Sequence, residues 1–307
     1  MKFLHQRDDF VDLINVAHTA TDIPEAFIIK DYWVTEILRV IQASELNGRV
    51  LFKGGTSLSK AYGIINRFSE DIDLLFTDSE AGNNQRRKQM KLAEMLALKI
   101  QALSLDKNNV DNFSSDDHKT SCLEYPSENT SGVLPYIRME MGSRGGPEPS
   151  TIRSIQAIIA AFIEKQSPET AKEVSNMAAF SMKVLDPFRT LVEKIFSLHR
   201  AFHDGRLQDK ERHFYDLFFL LNLHGISARL GTEEHLAIKK NVAHFDQQFN
   251  NKHLPADLKF GTSPVFSTDH GQYADTKRAY ENSQIYYGVR PSFDEMIASI
   301  ASFREKL

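Results

Sequence analysis

Two short stretches decide the fold that we expect: FKGGTSLSK at residues 52–60 and DIDLLF at residues 71–76. The first begins with the end of an apolar strand at residues 50–52, passes through paired glycines and continues with a helical pattern to residue 62. The second has two carboxylates at alternate positions before an apolar end, and it is the clearest strand in the chain. The order strand, glycine turn, helix, strand predicts an α/β unit in which the turn lies beside the second strand.

Asp71 and Asp73 indicate a metal site on that second strand. Alternate side chains of a strand point to the same face, so both carboxylates lie on one side while Ile72 enters the opposite layer. Two carboxylates at this spacing repel each other unless a positive group lies between them, and a hard divalent cation with oxygen ligands is the usual occupant.

The turn formed by Gly54, Gly55, Thr56 and Ser57 indicates a phosphate site. The glycines let the backbone approach a phosphate closely, the following helix N-terminus presents unpaired N–H groups, and the two hydroxyls add donors. The turn is not a P-loop, because no Gly-Lys-Ser/Thr follows at the required spacing, and it lacks the third glycine of a dinucleotide-binding fingerprint. An oriented triphosphate beside metal ligands is the arrangement that phosphoryl transfer needs.

The rest of the chain predicts a mixed α/β first part and a helical second part. We expect a domain at residues 1–186 and a helical domain at residues 187–307, with a firm break at RGGPEP, residues 144–149. Further strands are expected at 119–125, 134–141 and 180–185. Helices are expected at 3–19, 24–42, 85–105, 152–165, 187–203, 209–222, 233–250 and from 292, with loops at 106–118, 126–132 and 252–273.

Composition bounds the class of protein. Hydrophobic residues are 41% and charged residues 25% of the 307, the ordinary balance of a globular chain, while a net charge of −4 excludes a global basic field for nucleic acid. The single cysteine, Cys122, excludes an internal disulfide. With no signal-like start and no long charge-free apolar run, we expect a soluble cytoplasmic protein without a membrane span.

These motifs resemble the AbiEii/AbiGii nucleotidyltransferase toxins, which include the MenT-like proteins, within the polymerase-beta-like nucleotidyltransferase superfamily. The resemblance covers about residues 29–220 and is most specific in the glycine and Asp-x-Asp block. It rests on KGGTSLSK at 53–60, Arg67-x-Ser69-x-Asp71-Ile72-Asp73, IKDYWV at 29–34, IRME at 137–140, LVEKI at 191–195 and RHFYDL at 212–217.

The resemblance implies a nucleotidyltransferase fold, with a mixed central sheet flanked by helices and a C-terminal helical lobe. It implies an enzyme that uses Mg²⁺ or Mn²⁺ to move a nucleotide from an NTP to an acceptor, the 3′ end of tRNA in the studied relatives. It also implies a toxin that acts beside an AbiEi-like antitoxin.

Carried onto this sequence, the resemblance assigns a set of site residues. The expected catalytic residues are Asp71 and Asp73 on the metal, Glu140 as a further carboxylate and general base, and Lys194 against the departing pyrophosphate. Glu124 on the preceding strand is a rival to Glu140. The expected nucleotide-binding residues are Gly54, Gly55, Thr56, Ser57, Lys60, Arg67, Ser69, Arg212 and Asp216, although Asp216 equally fits a structural ion pair with Lys194 or Arg212.

Two basic clusters are candidates for an RNA surface, although charge runs are usually solvated faces. The first cluster consists of Arg86, Arg87, Lys88 and Lys91, and the second of His199, Arg200, His203, Arg206, Lys210 and Arg212. Two other functions stay open from the sequence: a metal-dependent RNA nuclease that uses the same carboxylates, and a non-catalytic module that binds nucleotides.

Overall fold

The computed structural model describes residues 2–69, 71–78, 81–127, 133–249, 254 and 260–307. The chain divides into two compact units. The first contains residues 1–63, 67–143 and 151–184, and the second contains residues 64–66, 144–150 and 185–307. The division at residue 186 that the sequence suggests stays a prediction.

A mixed β-sheet is the framework of the first unit. Its strands are β1 Val50–Lys53, β2 Asp71–Phe76, β3 Ser104–Leu105, β4 Phe113–Ser114, β5 His118–Glu124, β6 Tyr136–Gly142, β7 Ser150–Ile155 and β8 Phe180–Leu185. The order across the sheet is β3-β5-β6-β2-β1-β8-β7, and β4 pairs with β5 beside this path. Strand β2 runs parallel to β6 and antiparallel to β1, so both lie directly beside the strand that carries the Asp pair.

Six helices accompany the sheet in the first unit. They are α1 Phe10–Thr21, α2 Glu25–Gln42, α3 Gly54–Lys60, α4 Asn83–Ala97, α5 Ile158–Gln166 and α6 Pro168–Lys172. Helix α2 is buried over most of its surface because apolar residues occupy nearly every side of it. Trp33 is 1% exposed and lies against the rings of Tyr32 and His5, which places it in the core.

The second unit is helical. Its helices are α7 Pro187–His203, α8 Glu211–Asn222, α9 Glu233–Phe249, α10 Tyr273–Asn282 and α11 Phe293–Ala301. Helix α7 begins at a proline because the preceding Asp186 side chain accepts the free N–H of Phe188. Helix α11 begins with a capping box, in which Ser292 and Glu295 bond each other's backbone N–H groups.

The predicted helix at residues 152–165 is wrong in its first part. Residues Ser150–Ile155 form β7, and the helix α5 begins only at Ile158. The spacing of Ile152 and Ile155 is helical, and pairing with the rest of the sheet overrides it in favour of the strand. Helix α4 likewise ends at Ala97 rather than at residue 105, because Ser104–Leu105 pairs with β5 instead.

The loop expected at residues 126–132 falls largely on 128–132, outside the described residues. The same is true of residues 250–253 and 255–259, which include the end of the helix expected at 233–250. None of the described helices has the length and apolar character required to cross a bilayer.

Candidate active site

Three carboxylates lie on one face of the sheet. Strand β2 pairs in parallel register with β6, with Asp71 opposite Arg138 and Asp73 opposite Glu140. Because residues two apart on a strand share a face and directly paired residues lie side by side, Asp71, Asp73, Arg138 and Glu140 form one polar patch. The neighbouring residues Ile72 and Met139 are completely buried in the opposite layer.

The first glycine of the turn lies against Asp73. Gly54 begins α3 and has a φ of +78°, a conformation that residues with a Cβ rarely adopt. A Cβ added at this position would overlap the Asp73 carboxylate and lie 2.7 Å from its Cγ. Only glycine therefore satisfies both the backbone conformation and the close approach, and the turn and the metal-ligand candidate are adjacent.

The second glycine lies against Arg67 and Ser69. A Cβ at Gly55 would come to 2.5 Å from the Arg67 Nη2 and 3.0 Å from the Ser69 Oγ. Arg67 is 3% exposed and donates from Nη1 to the Phe68 carbonyl at 3.1 Å. The residues that precede β2 thus pack on the glycine turn.

The hydroxyls of Thr56 and Ser57 are used inside the fold. Thr56 donates to the carbonyl of Asp71, and the Ser57 Oγ donates to the carbonyl of Gly54 at 2.8 Å. Both residues are buried. The hydroxyls therefore hold the turn against β2, and the backbone N–H groups at the start of α3 are the donors better suited to an anion.

Lys60 forms an ion pair that the sequence analysis did not foresee. Its Nζ lies 2.6 Å from the Asp31 Oδ1 and donates to the carbonyl of Gln156 at 3.1 Å, with its side chain 3% exposed. The other Asp31 oxygen accepts the N–H of Ile158 at 2.8 Å, at the start of α5. Lys60 thus joins the end of α3 to α2 and to the segment before α5.

Arg138 is the site residue that sequence reasoning missed. Its Nε and Nη2 each lie 2.9 Å from one Asp71 oxygen, and its Nε lies 3.1 Å from the Glu140 Oε1. Burial opposes the charge of this guanidinium, but the surrounding carboxylates, with Asp71 foremost, together outweigh that effect and raise the pKa of Arg138. The signal that could have found it is the spacing of Arg138 and Glu140, which puts both on one strand face.

The register favours Glu140 over Glu124 as the third carboxylate. Glu140 is the direct cross-strand neighbour of Asp73. Glu124 lies at the end of β5, two strands away from β2, and accepts a hydrogen bond from the Ser104 Oγ at 2.9 Å.

In the helical unit, Lys194 and Asp216 form a buried ion pair. Nζ of Lys194 on α7 lies 2.6 Å from the Asp216 Oδ2 on α8, and the Asp216 side chain is fully buried. Arg212, one helical turn before Asp216, is half-buried and forms no ion pair with any described residue. The pairing matches one of the two roles that the sequence leaves open for Asp216.

The two basic clusters are partly neutralised by carboxylates. In the first cluster, Arg87 pairs with Asp116. In the second, the Arg200 Nη1 lies 2.6 Å from the Asp246 Oδ1. The positive potential that either cluster offers to RNA is therefore smaller than its count of lysines and arginines suggests.

The donor chemistry of the polar patch fits a divalent cation. Magnesium is commonly bound by one or two carboxylates together with waters and substrate phosphates, rather than by an all-protein cage. The described residues contain no group of three or more His, Cys, Asp and Glu side chains arranged to hold a metal. Asp71 and Asp73, beside a turn suited to phosphate, match the sparse kind of site.

Comparison with known proteins agrees with this fold. The structure is similar to that of MenT4, a nucleotidyltransferase toxin from Mycobacterium tuberculosis H37Rv, with a TM-score of 0.57 and 16% sequence identity. The match covers 97% of this chain and 90% of that one, and the mixed sheet flanked by helices confirms the predicted fold class. No curated protein sequence matches the chain.

The sequence of residues 36–299 matches the family described as "Nucleotidyl transferase AbiEii toxin, Type IV TA system". The match spans most of the chain and includes the glycine turn, the Asp pair and the helices that carry Lys194 and Asp216. The chain is therefore a nucleotidyltransferase and belongs to the AbiEii family of toxins from type IV toxin–antitoxin systems.

Proposed function

We propose that this toxin transfers a nucleotide from an NTP to the 3′ end of an RNA acceptor, tRNA in the first instance, with the help of a divalent metal ion. One observation carries the proposal: the carboxylate of Asp73 lies directly against Gly54, with Asp71 and Glu140 on the same sheet face. A carboxylate patch next to a backbone turn suited to phosphate supports metal-assisted phosphoryl transfer more than nucleotide binding alone.

Within this proposal, Asp71 and Asp73 would hold the metal ion. A bound Mg²⁺ or Mn²⁺ would neutralise charge on the phosphate oxygens and orient the α-phosphate. The N–H groups of Gly55, Thr56 and Ser57 would bind the β and γ phosphates, since the Thr56 and Ser57 hydroxyls are engaged within the fold.

The chemical step needs a proton acceptor. The acceptor hydroxyl oxygen forms a bond to the α-phosphorus, the bond between that phosphorus and the β-bridging oxygen breaks, and pyrophosphate leaves with the bonding electrons. Glu140 is half-exposed beside Asp73, so we assign to it the removal of the hydroxyl proton.

Other nucleotide-binding assignments change with the contacts that each residue makes. We remove Lys60 from the proposed phosphate ligands because Asp31 engages it. Arg67 and Ser69 are better described as supports of the glycine turn. The roles of Lys194 and Arg212 toward the triphosphate stay predictions from the sequence.

The test is transfer of label from NTP to acceptor. The purified protein is incubated with each α-labelled NTP, Mg²⁺ and total cellular RNA, and the RNA is separated by size. We expect one RNA class to gain label and length only when NTP is present. RNA that shortens without NTP would indicate a nuclease instead, and NTP binding without pyrophosphate release would indicate a non-catalytic module.

A pair of aspartate variants makes the test specific to the site. Asp73→Ala is expected to abolish transfer while the far-ultraviolet circular dichroism spectrum stays that of the wild type. Asp78→Ala is the matched control, because Asp78 lies just after the same strand and, among the described residues, its side chain accepts a hydrogen bond from Gln85 at 2.9 Å. Equal activity of both variants would refute the assignment of Asp73.

The biological setting follows from the same chemistry. Membership in a type IV toxin–antitoxin family implies a partner antitoxin, and we propose an AbiEi-like protein in that role. Because NTP and tRNA are cytoplasmic molecules, we propose that the toxin acts in the cytoplasm.

A further inference from the structure

We propose that Arg138 is a positioning residue that holds Asp71 in the metal-free enzyme and weakens its affinity for divalent cations. This inference rests on the proposed function, because it concerns the carboxylates that we assign to the metal. It goes beyond that function by giving a role to an arginine that the motif analysis left without one.

The geometry of Arg138 is that of a two-point clamp. Its two nitrogens meet the two Asp71 oxygens at equal distances of 2.9 Å, an arrangement that fixes the plane of the carboxylate. The same Nε lies 3.1 Å from Glu140, so one guanidinium is shared by two of the three carboxylates on this face. The side chain is 30% exposed, which leaves it able to adjust when a ligand arrives.

The sheet register explains why a cation is needed at this point. Parallel pairing of β2 with β6 places the Asp71 and Arg138 Cα atoms opposite each other. The paired residues Asp73 and Glu140 lie two residues further along the strands. Without the guanidinium, Asp71 would lose its two-point partner and share this partly buried face with Glu140 and Asp73, of which Asp73 lies in register with Lys53 on β1. Like charges that close destabilise the fold unless something positive lies among them.

A divalent cation and the guanidinium satisfy the same carboxylates, so the two are linked. The positive Arg138 already neutralises part of the Asp71 charge, so a metal ion gains less from binding this carboxylate. The arginine also repels the ion directly. Removal of the arginine charge should therefore destabilise the metal-free protein and at the same time tighten metal binding. A purely structural ion pair would show the first effect without the second.

The experiment measures metal binding directly, without catalysis. Free Mn²⁺ is titrated with wild-type protein and with Arg138→Gln in the absence of NTP and followed by its electron paramagnetic resonance signal. We expect Arg138→Gln to bind Mn²⁺ about tenfold more tightly, the scale of one unit charge removed near a partly solvated site. Its melting temperature should fall without metal and recover toward the wild-type value with saturating Mn²⁺.

Matched variants separate charge from fold damage. Arg278→Gln removes an exposed arginine that pairs with Asp275 outside this patch, and it should leave Mn²⁺ affinity unchanged. Arg138→Lys keeps the charge but loses the two-point clamp, so its Mn²⁺ affinity should stay within about twofold of the wild type while transfer becomes slower. If Arg138→Gln does not fold, the lysine variant alone decides: an affinity increase like that expected for glutamine would overturn the proposal.

Different results would refute the role of Arg138 and the assignment of the metal site. Unchanged Mn²⁺ affinity in Arg138→Gln would overturn the role of the arginine and leave the metal assignment intact. Unchanged Mn²⁺ binding in Asp73→Asn would instead count against the proposed metal site itself. Tighter binding in Arg138→Gln together with lost binding in Asp73→Asn supports both.

Discussion

Replacement of Gly54 by alanine tests whether the glycine turn positions Asp73. The added methyl group has two effects in this structure. It places a Cβ on a backbone with a φ of +78°, and it brings that Cβ into the space of the Asp73 carboxylate, 2.7 Å from its Cγ. The first effect acts on stability, whereas the second acts on the side chain that we assign to the metal.

The loss of unfolding free energy and the loss of reaction rate have separate causes and separate sizes. The left-handed backbone disfavours alanine by about 1–2 kcal/mol, and the stiffer unfolded chain returns roughly 0.5–1 kcal/mol, so the net loss of unfolding free energy is about 1 kcal/mol. Ordinary van der Waals contact begins at 3.4 Å, whereas the added Cβ would lie 2.7 Å from the Asp73 Cγ. The carboxylate must therefore move away by most of that difference. A displacement on the order of 1 Å in a reacting group costs about a hundredfold in rate.

The assay compares Gly54→Ala with Gly48→Ala. Gly48 has a φ of +77° and nothing within 4 Å of an added Cβ, so it has the same backbone strain without the clash. Both variants should lose about 2–4 °C in melting temperature, the shift expected for about 1 kcal/mol in a large domain. Only Gly54→Ala should lose about a hundredfold in initial rate of nucleotide transfer.

One result would refute this reasoning. If Gly54→Ala kept the transfer rate of Gly48→Ala while both had the same melting temperature, the position of Asp73 would not limit the reaction. A loss of activity in both variants to the same extent would show that backbone strain, not the contact with Asp73, is the cause.

Three further predictions concern buried charges. Lys60→Met should lower the free energy of unfolding by about 3–5 kcal/mol, because it removes the cation that pairs with Asp31. The KM for NTP, measured on the folded fraction, should not rise. A raised KM with unchanged stability would instead place Lys60 at the phosphate site. Lys194→Met should also destabilise the fold, because it removes the ammonium 2.6 Å from the buried Asp216 carboxylate, and adding Asp216→Leu should restore stability. Recovery of transfer in that double variant would exclude a catalytic Lys194. Burial lowers the pKa of His199 to about 4, so the unfolded state takes up a proton on this residue at higher pH than the folded state does. As the pH falls from about 6.5 to about 4, the free energy of unfolding should therefore decrease by about 1.4 kcal/mol per pH unit. His199→Phe should remove this slope in pH-dependent melting.

Much of the fold was predictable because its signals are local. The strand predicted at residues 71–76 is β2, and α7 follows the helix predicted at 187–203. Both depend on the period of apolar residues and on end signals such as Asp186 before Pro187. The family assignment is confirmed for the same reason, since its motifs lie within short stretches of chain.

The secondary-structure predictions are wrong where the local apolar spacing disagrees with the strand pairing of the folded chain. Residues Ser150–Ile155 are a strand although their apolar spacing also suits a helix. The choice depends on sheet partners far away in the sequence, which no window of neighbouring residues contains. Residues 252–273 have no clear apolar period and are predicted as a loop. Two short 3-10 helices, Phe260–Thr262 and Pro264–Phe266, lie within the described part of this segment.

By itself, the sequence determined the chemistry that is available: paired carboxylates with strand spacing, glycines at a turn, and an α/β order of elements. Only the tertiary structure decided which groups meet, such as Arg138 with Asp71 across 67 residues of chain and Lys60 with Asp31 rather than with solvent. The physical reason is that periodicity reports how a segment is buried, whereas a contact between distant charges depends on strand register and helix packing. Those are set by the burial of the whole core and not by the residues that make the contact.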